Sequence, residues 1–317
     1  MSLNIGKESK MKIFKNRGDI YFSKSGTKAD KEQTILIIAL VCVILLSIIV
    51  VIFTGAKSDF SAKKFFAPDQ TVLVSSESSQ AELPDVGGKT NYLLLTTGED
   101  EETVYTVTLF QADMDSISYK ICNLQPSTLL DGNTVASIYK GGGVNNLVQA
   151  LESDLSVDID FYMITKVKDF ISFYDAMGTV HYPLAEDIKY KDSESADTYS
   201  VKLSAGEQTL DGKKFISLLR YYVNVKNDCK TANDLVLNGL TQLINSDNAA
   251  KKDELFKEFV ALSKSNMTVK DFSERNDDIT VLTDSRTGVN TYNVETQSDG
   301  GELDPQSRSS IKSYYAK

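Results

Sequence analysis

The sequence predicts an α/β domain, a mixed central sheet covered by helices on both faces, preceded by one N-terminal transmembrane helix. Three observations predict it. An uncharged apolar run of 20 residues, Thr34 to Phe53, follows a basic leader. Beyond it, segments of period two alternate with segments of helical period, which implies a sheet with helices packed on it. The chain outside the run, Thr54 to Lys317, has 264 residues, enough for one sizeable core.

Taken in order, residues 1–33 carry eight Lys or Arg against four acids. Excess positive charge beside a membrane helix stays in the cytoplasm. Residues 1–33 are therefore expected as a cytoplasmic leader, and residues 34–53 as a retained span of about 30 Å. Everything after Thr54 is then outside the cell membrane. The leader contributes +4 to a net charge of −10, so the remainder carries −14. An acidic exterior domain argues against nucleic-acid binding, which needs a basic face. Residues 54–90, rich in Ser, Lys, Ala and Asp, read as a spacer, residues 91–293 as the folded domain, and residues 294–317, polar with Gly300-Gly301 and Pro305, as a flexible tail.

Within the domain, Tyr92 to Thr96 suits a buried strand, and Thr103 to Phe110 alternates as a strand should. Ala112 to Asp115 makes a turn into a second hairpin strand, Ser116 to Leu124. Val144, Leu147, Val148, Leu151 and Leu155 share one helical face, preceded by Gly141-Gly142-Gly143. Those glycines either offer backbone amides to an anion or simply lead flexibly into the helix. Ile159 to Ile164 returns to strand. Val167, Phe170, Ile171 and Tyr174 form the next helical stripe, with Gly178 as its C-terminal cap. Thr179 to Tyr182 is strand-like and is expected to stop at Pro183. Phe215, Leu218, Leu219 and Tyr222 mark a third helix. Thr231 to Asp234 reads as a capping box opening a fourth. Asp253 to Leu262 is a fifth, and Ile279 to Leu282 a closing strand.

The common catalytic signatures are missing. The single histidine, His181, falls inside a strand. No Cys/His set has zinc spacing, and no Gly-x-Ser-x-Gly or phosphate-loop motif occurs. Cys42 lies in the apolar run. Cys122 and Cys229 are either a disulfide or two buried thiols, and their spacing does not decide which.

Several stretches in fixed order carry a resemblance. Ile138-Tyr139-Lys140-Gly141-Gly142-Gly143 runs into Leu147 to Glu152. Then come Val157 to Tyr162, Phe170-Ile171, Asp175 to Val180 and Pro183. Leu203 to Gly212 leads to Leu218-Leu219-Arg220-Tyr221. In order and spacing, roughly Asn91 to Leu262 resembles the LytR-CpsA-Psr family of cell-envelope proteins. The resemblance implies a mixed α/β domain with a long apolar pocket for a polyprenyl chain. It also implies transfer of a glycopolymer from a polyprenyl-pyrophosphate carrier to the bacterial wall, with Mg²⁺ as cofactor where catalysis operates. Such chemistry needs arginine forks for the pyrophosphate and carboxylates for the cation.

This sequence departs from the pattern at the chemistry. Gly98 and Asp100 stand where the family places an Asp and an Arg. Gln125-Pro126-Ser127-Thr128 stands for Pro-Arg-Asp-Thr, so only Thr128 survives. Thr134-Val135-Ala136 stands for Lys-Ile-Asn. Arg220 remains of a pair of arginines, and Tyr222 replaces the second. The resemblance thus makes Arg220 the candidate catalytic residue. It makes Arg220, Thr128 and Tyr222 the substrate-binding candidates, and Glu102 with Asp100 the metal candidates. Three readings stay open. One is a membrane-anchored protein with weakened or absent catalysis that binds a polyprenyl lipid or envelope partner. The second is an active phosphotransferase that attaches glycopolymers to the wall, with peptidoglycan as a partner. The third is an envelope scaffold or adhesion protein.

Overall fold

The structure is a computed structural model and describes residues 82–299 and 301–317. The leader, the apolar run and nearly all of the expected spacer lie outside the described residues. Among the described residues, no helix is long and apolar enough to cross a membrane.

The centre is a mixed sheet. Strands β1 (Lys89–Thr97), β2 (Val104–Asp113) and β3 (Ser118–Leu124) form an antiparallel meander. β4 (Leu129–Leu130) and β5 (Asn133–Thr134) make a small hairpin that leads into helix α1 (Val135–Leu155). β6 (Phe161–Lys166) then lies parallel to β1, and helix α2 (Val167–Met177) follows at once. Strands β7 (Val180–Leu184), β8 (Ile188–Lys191), β9 (Ser200–Leu203) and β10 (Gly206–Leu210) form two small antiparallel pairs, β7 with β10 and β8 with β9. Helix α3 (Gly212–Tyr221) passes into one π-turn, Tyr222–Lys226, before α4 (Cys229–Leu243). Helices α5 (Ser246–Ala250) and α6 (Lys252–Leu262) lead to β11 (Ser263–Ser265), antiparallel to β6. After α7 (Val269–Glu274) and α8 (Asn276–Thr283), β12 (Asn290–Asn293) adds parallel to β3. The sheet order is therefore β11-β6-β1-β2-β3-β12. A last hairpin, β13 (Ser298–Asp299) and β14 (Glu302–Leu303), precedes α9 (Pro305–Tyr314).

Period-two alternation sorts the side chains between two faces. Leu93, Leu95, Val107, Leu109, Cys122 and Leu124 point to one face and pack with Leu147, Leu151 and Leu155 of α1 and Ile311 of α9. Tyr119 and Ile121 point to the other, against Leu237 of α4. That second face is polar further along: Thr106 Oγ1 donates to Thr96 Oγ1 at 2.7 Å, and Thr108 Oγ1 to Asn123 Oδ1 at 2.6 Å. Helices α2, α3 and α4 share a further cluster with β7 through β10. Gly212 is needed where α3 meets α2, since a Cβ there would sit 2.7 Å from the Ile171 carbonyl oxygen.

Several elements differ from expectation. Residues 294–317 are not a loose tail. Asp304 caps α9 by accepting from Ser307 N at 2.6 Å, Pro305 opens it, and Ile311 and Tyr315 are buried. Tyr315 OH donates to Leu109 O at 2.7 Å. Its own carbonyl accepts from Asn91 Nδ2 in a buried chain that continues through Gln111 and Lys120 to Asp113. Ile279 to Leu282 belongs to helix α8, whose first turn holds Asp277 and Asp278. The closing strand is instead the polar Asn290–Asn293. Strand β7 runs through Pro183 because it pairs only with β10, so a missing N–H costs nothing on its open side. The glycine run lies inside α1, which kinks at Gly143 (φ 69°), and the helix begins at Val135 under a Thr134 cap. Helix α4 opens at Cys229, capped by Asp228 rather than by Thr231. Cys122 and Cys229 are both buried free thiols.

Candidate functional site

Arg220 sits in the last turn of α3 and is 2 % exposed. Its guanidinium lies between two rings, 3.7 Å from the centroid of Tyr105 on β2 and 4.1 Å from that of Tyr199. Nη2 donates to Asp197 O at 3.0 Å and Ser195 Oγ at 3.3 Å, and stands 3.8 Å from Asp192 Oδ2. Nε is buried without a partner. Burial lowers the Arg220 pKa, against the opposing pull of Tyr105, Tyr199, Asp192 and Asp197.

The cover over Arg220 is the loop between β8 and β9, residues 192–199. Asp192 accepts from Glu194 N, Ser195 N and Ser195 Oγ, and these bonds, with Arg220, hold its carboxyl below the usual range despite partial burial. Asp197 Oδ2 accepts from Tyr105 OH at 3.1 Å and Glu99 N at 3.2 Å, so the cover is fastened to the β1–β2 loop. Gly98 is the tight point there. A Cβ at Gly98 would lie 2.6 Å from Asp197 Oδ2 and 2.9 Å from Asp100 Oδ1.

The other sequence candidates have partners of their own. Asp100 closes its own loop, accepting from Glu102 N and Thr103 N at 3.0 Å and from Thr103 Oγ1 at 2.6 Å, and these bonds lower its pKa. Glu102 is exposed and pairs with Lys140 at 3.5 Å. Neither joins a ligand set: among the described residues, no group of three or more His, Cys, Asp or Glu could hold a metal ion. Tyr222 is half-buried at the start of the π-turn, its hydroxyl pushed up to about 12 by burial and then by Asp228. Thr128 is buried in a different place. It lines a polar pocket of about 570 Å³ with Gln125, Ser127, Asn227, Cys229 and Thr296. His181 is exposed on β7, 3.4 Å from Thr209 Oγ1.

A second, smaller pocket, about 240 Å³, lies at the ends of β1 and β6 and includes Thr97, Glu101, Lys166 and Lys264. The larger pocket has a polar lining, whereas the smaller one is mixed, with Tyr139, Ile164, Ala261 and Leu262 beside its charged groups. The long apolar pocket expected from the resemblance is neither of these two pockets. The sheet face toward α4 carries the paired threonines and an Asn123–Asn233 contact.

Residues 121–315 match the LytR_cpsA_psr family model. The chain belongs to that family. No curated relative matches the sequence. Solved structures share the fold. A protein from Eubacterium siraeum DSM 15702 described as a transcription regulator aligns with TM-score 0.63 and 18 % identity, over 78 % of this chain and 98 % of its own. A LytR-Csp2A-Psr enzyme from Actinomyces oris aligns with TM-score 0.57 and 14 % identity, over 74 % and 96 %. TagT bound to LI-WTA aligns with TM-score 0.52 and 16 % identity, over 72 % and 89 %.

Within this LytR-CpsA-Psr domain, sequence reasoning singled out Arg220 but missed its enclosure. Tyr105 read only as one position of an alternating strand, and residues 192–199 fell within no predicted element. The available signal was local: Asp192 followed by Ser195 is the pattern of a side-chain-capped turn, which gives that connection a fixed shape.

Proposed function

We propose that this chain is a membrane-anchored LytR-CpsA-Psr protein whose domain lies outside the cell membrane, and that it binds an envelope glycopolymer with weakened or absent transfer activity. The observation that carries this reading is the commitment of Arg220. Its hydrogen bonds, its ring contacts and its acidic neighbours all come from the protein itself. A pyrophosphate needs donors aimed outward and a surplus of positive charge. Here the neighbouring β1–β2 loop supplies Glu99, Asp100, Glu101 and Glu102 instead.

Family membership supports the envelope setting, and the Thr34–Phe53 run behind its basic leader supports the anchor and its orientation. The LI-WTA complex of TagT supports a glycopolymer as the bound class. The polar lining of the larger pocket favours a sugar or phosphate chain over a polyprenyl tail there. The test uses the full chain in membranes, with Mg²⁺ and a polyprenyl-pyrophosphate-linked glycopolymer as donor. Glycopolymer binding with little transfer is expected. Robust transfer that disappears in Arg220→Lys would overturn the reading. Protease added to intact protoplasts should digest the domain, and full protection would reverse the orientation.

A further inference from the structure

The smaller pocket has the parts of an anion site that nothing in the family reading uses. It opens where the parallel strands β1 and β6 end, beside the N-terminus of α2, the usual position for ligands in sheets with parallel strands. Helix α2 has 11 residues, and its N-cap, Lys166, makes no side-chain capping bond. The start of α2 therefore turns the positive end of the helix dipole toward this end of the sheet, with no capping side chain over it. Thr97 lines the pocket, is 1 % exposed, and its hydroxyl is buried with no hydrogen-bond partner. An orphaned buried hydroxyl is uncommon and asks for a partner.

Two cations complete the site, and both already hold an anion. Lys166 Nζ lies 2.7 Å from Glu101 Oε1, and Lys264 Nζ contacts Glu101 Oε2. Glu101 sits at φ 60°, in the left-handed region that non-glycine residues rarely adopt. The backbone thus accepts an unfavourable conformation while the carboxylate bridges two lysines over the pocket. These bonds hold the Glu101 carboxyl down at about 2. Asp169, in the first turn of α2, is the other acid on the lining. With Glu101 in place the four charged groups balance. With Glu101 swung out, the lysines outnumber the remaining acid.

We propose that this pocket binds a phosphate group, held by Lys166, Lys264 and the α2 amides, and that Glu101 is an internal stand-in which the phosphate displaces. A phosphate has more acceptor oxygens than the carboxylate it replaces. It can therefore take both ammonium groups and still accept from an amide or from Thr97. The pocket, several times the space one water needs, has room for it. The inference is independent of the Arg220 reading and stands whether or not the domain transfers a polymer.

The test is binding by the full chain in nanodiscs at low salt, with inorganic phosphate and a glycerol-phosphodiester oligomer as separate probes, read by calorimetry. Glu101→Gln should tighten binding by about tenfold, because it weakens two exposed ion pairs that compete with the ligand. Lys166→Ala with Lys264→Ala should abolish it. Thr97→Val removes the hydroxyl but keeps the shape; it should weaken binding while leaving the melting temperature unchanged or raised. Tighter binding of the diester identifies the ligand as a polymer backbone, and binding of inorganic phosphate alone identifies a free phosphate site. No binding of either probe by the native chain or by Glu101→Gln would overturn the proposal. So would binding that the double lysine variant retains.

Discussion

Replacing Arg220 by methionine separates a structural brace from a catalytic residue. Methionine keeps much of the aliphatic volume and removes the charge. A desolvated cation–π contact is worth about 2 kcal/mol, and Arg220 makes two. Its bond to Asp197 O adds roughly 1.5–3 kcal/mol. Against this stand the burial of the guanidinium and its partnerless Nε, a cost of about 1–3 kcal/mol that the substitution relieves. Asp192 keeps its bonds from Glu194 and Ser195, so no orphaned carboxylate is created. The net expectation is a loss of about 2.5–6 kcal/mol. For a domain of this size that lowers the melting temperature by roughly 5–24 °C. The assay is thermal unfolding with limited proteolysis of residues 192–199, which should become susceptible once the cover loses its anchor. An unchanged melting temperature and an uncut loop, with ligand turnover lost, would refute the argument and return Arg220 to the chemistry.

Three further outcomes are expected. Gly98→Asp, which restores the acid of the family pattern, should destabilise by more than about 2 kcal/mol in urea unfolding at neutral pH, since its side chain would meet the Asp197 and Asp100 carboxylates; the penalty should shrink toward pH 4. Tyr315→Ala should cost about 3–5 kcal/mol, the range for a buried aromatic, where a truly loose tail would cost nothing. Asp113 is buried, which would raise its pKa, but the Lys120 ammonium and the Ser116 amide hold it below the usual range. A depressed folded value means stability that is present above the unfolded pKa, near 4, and is lost as pH falls through the folded value. Stability measured from pH 5 downward should therefore fall more steeply in the native chain than in Asp113→Asn.

The sheet was legible wherever alternation and burial agreed. Strands β1 to β3 carry apolar residues at every second position over long stretches, and α2 carries its stripe up to the Gly178 cap. The misread elements are those in which local pattern and tertiary context conflict. Ile279 to Leu282 is too short for periodicity to decide, and the acids before it favour a helix start. Pro183 breaks central strands, but nothing local says that β7 has an open edge. The last residues looked polar because α9 buries only a few side chains; Tyr315 matters through bonds to residues more than 190 positions away. The candidate site divides the same way. Arg220 was visible as the surviving member of a motif. Its cage was not, because Tyr105 and Tyr199 approach from opposite directions in the sequence.

Charge bookkeeping around the β1–β2 loop shows which cations an anionic ligand can reach. Lys140 pairs with Glu102, Lys168 with Glu99, and Lys166 and Lys264 with Glu101. One acidic loop therefore neutralises four lysines drawn from α1, α2, β6 and β11. These pairs are largely exposed, and exposed pairs are worth about 0–1 kcal/mol each. A phosphate can break them at small cost. Arg220 is different: freeing it means opening two ring contacts and a buried bond, several kcal/mol by the estimate above. The difference is large enough to decide the matter. Polyanions should be met first by the lysines that the loop holds in reserve, with the affinity falling steeply as salt is added, while Arg220 stays closed beneath its cover.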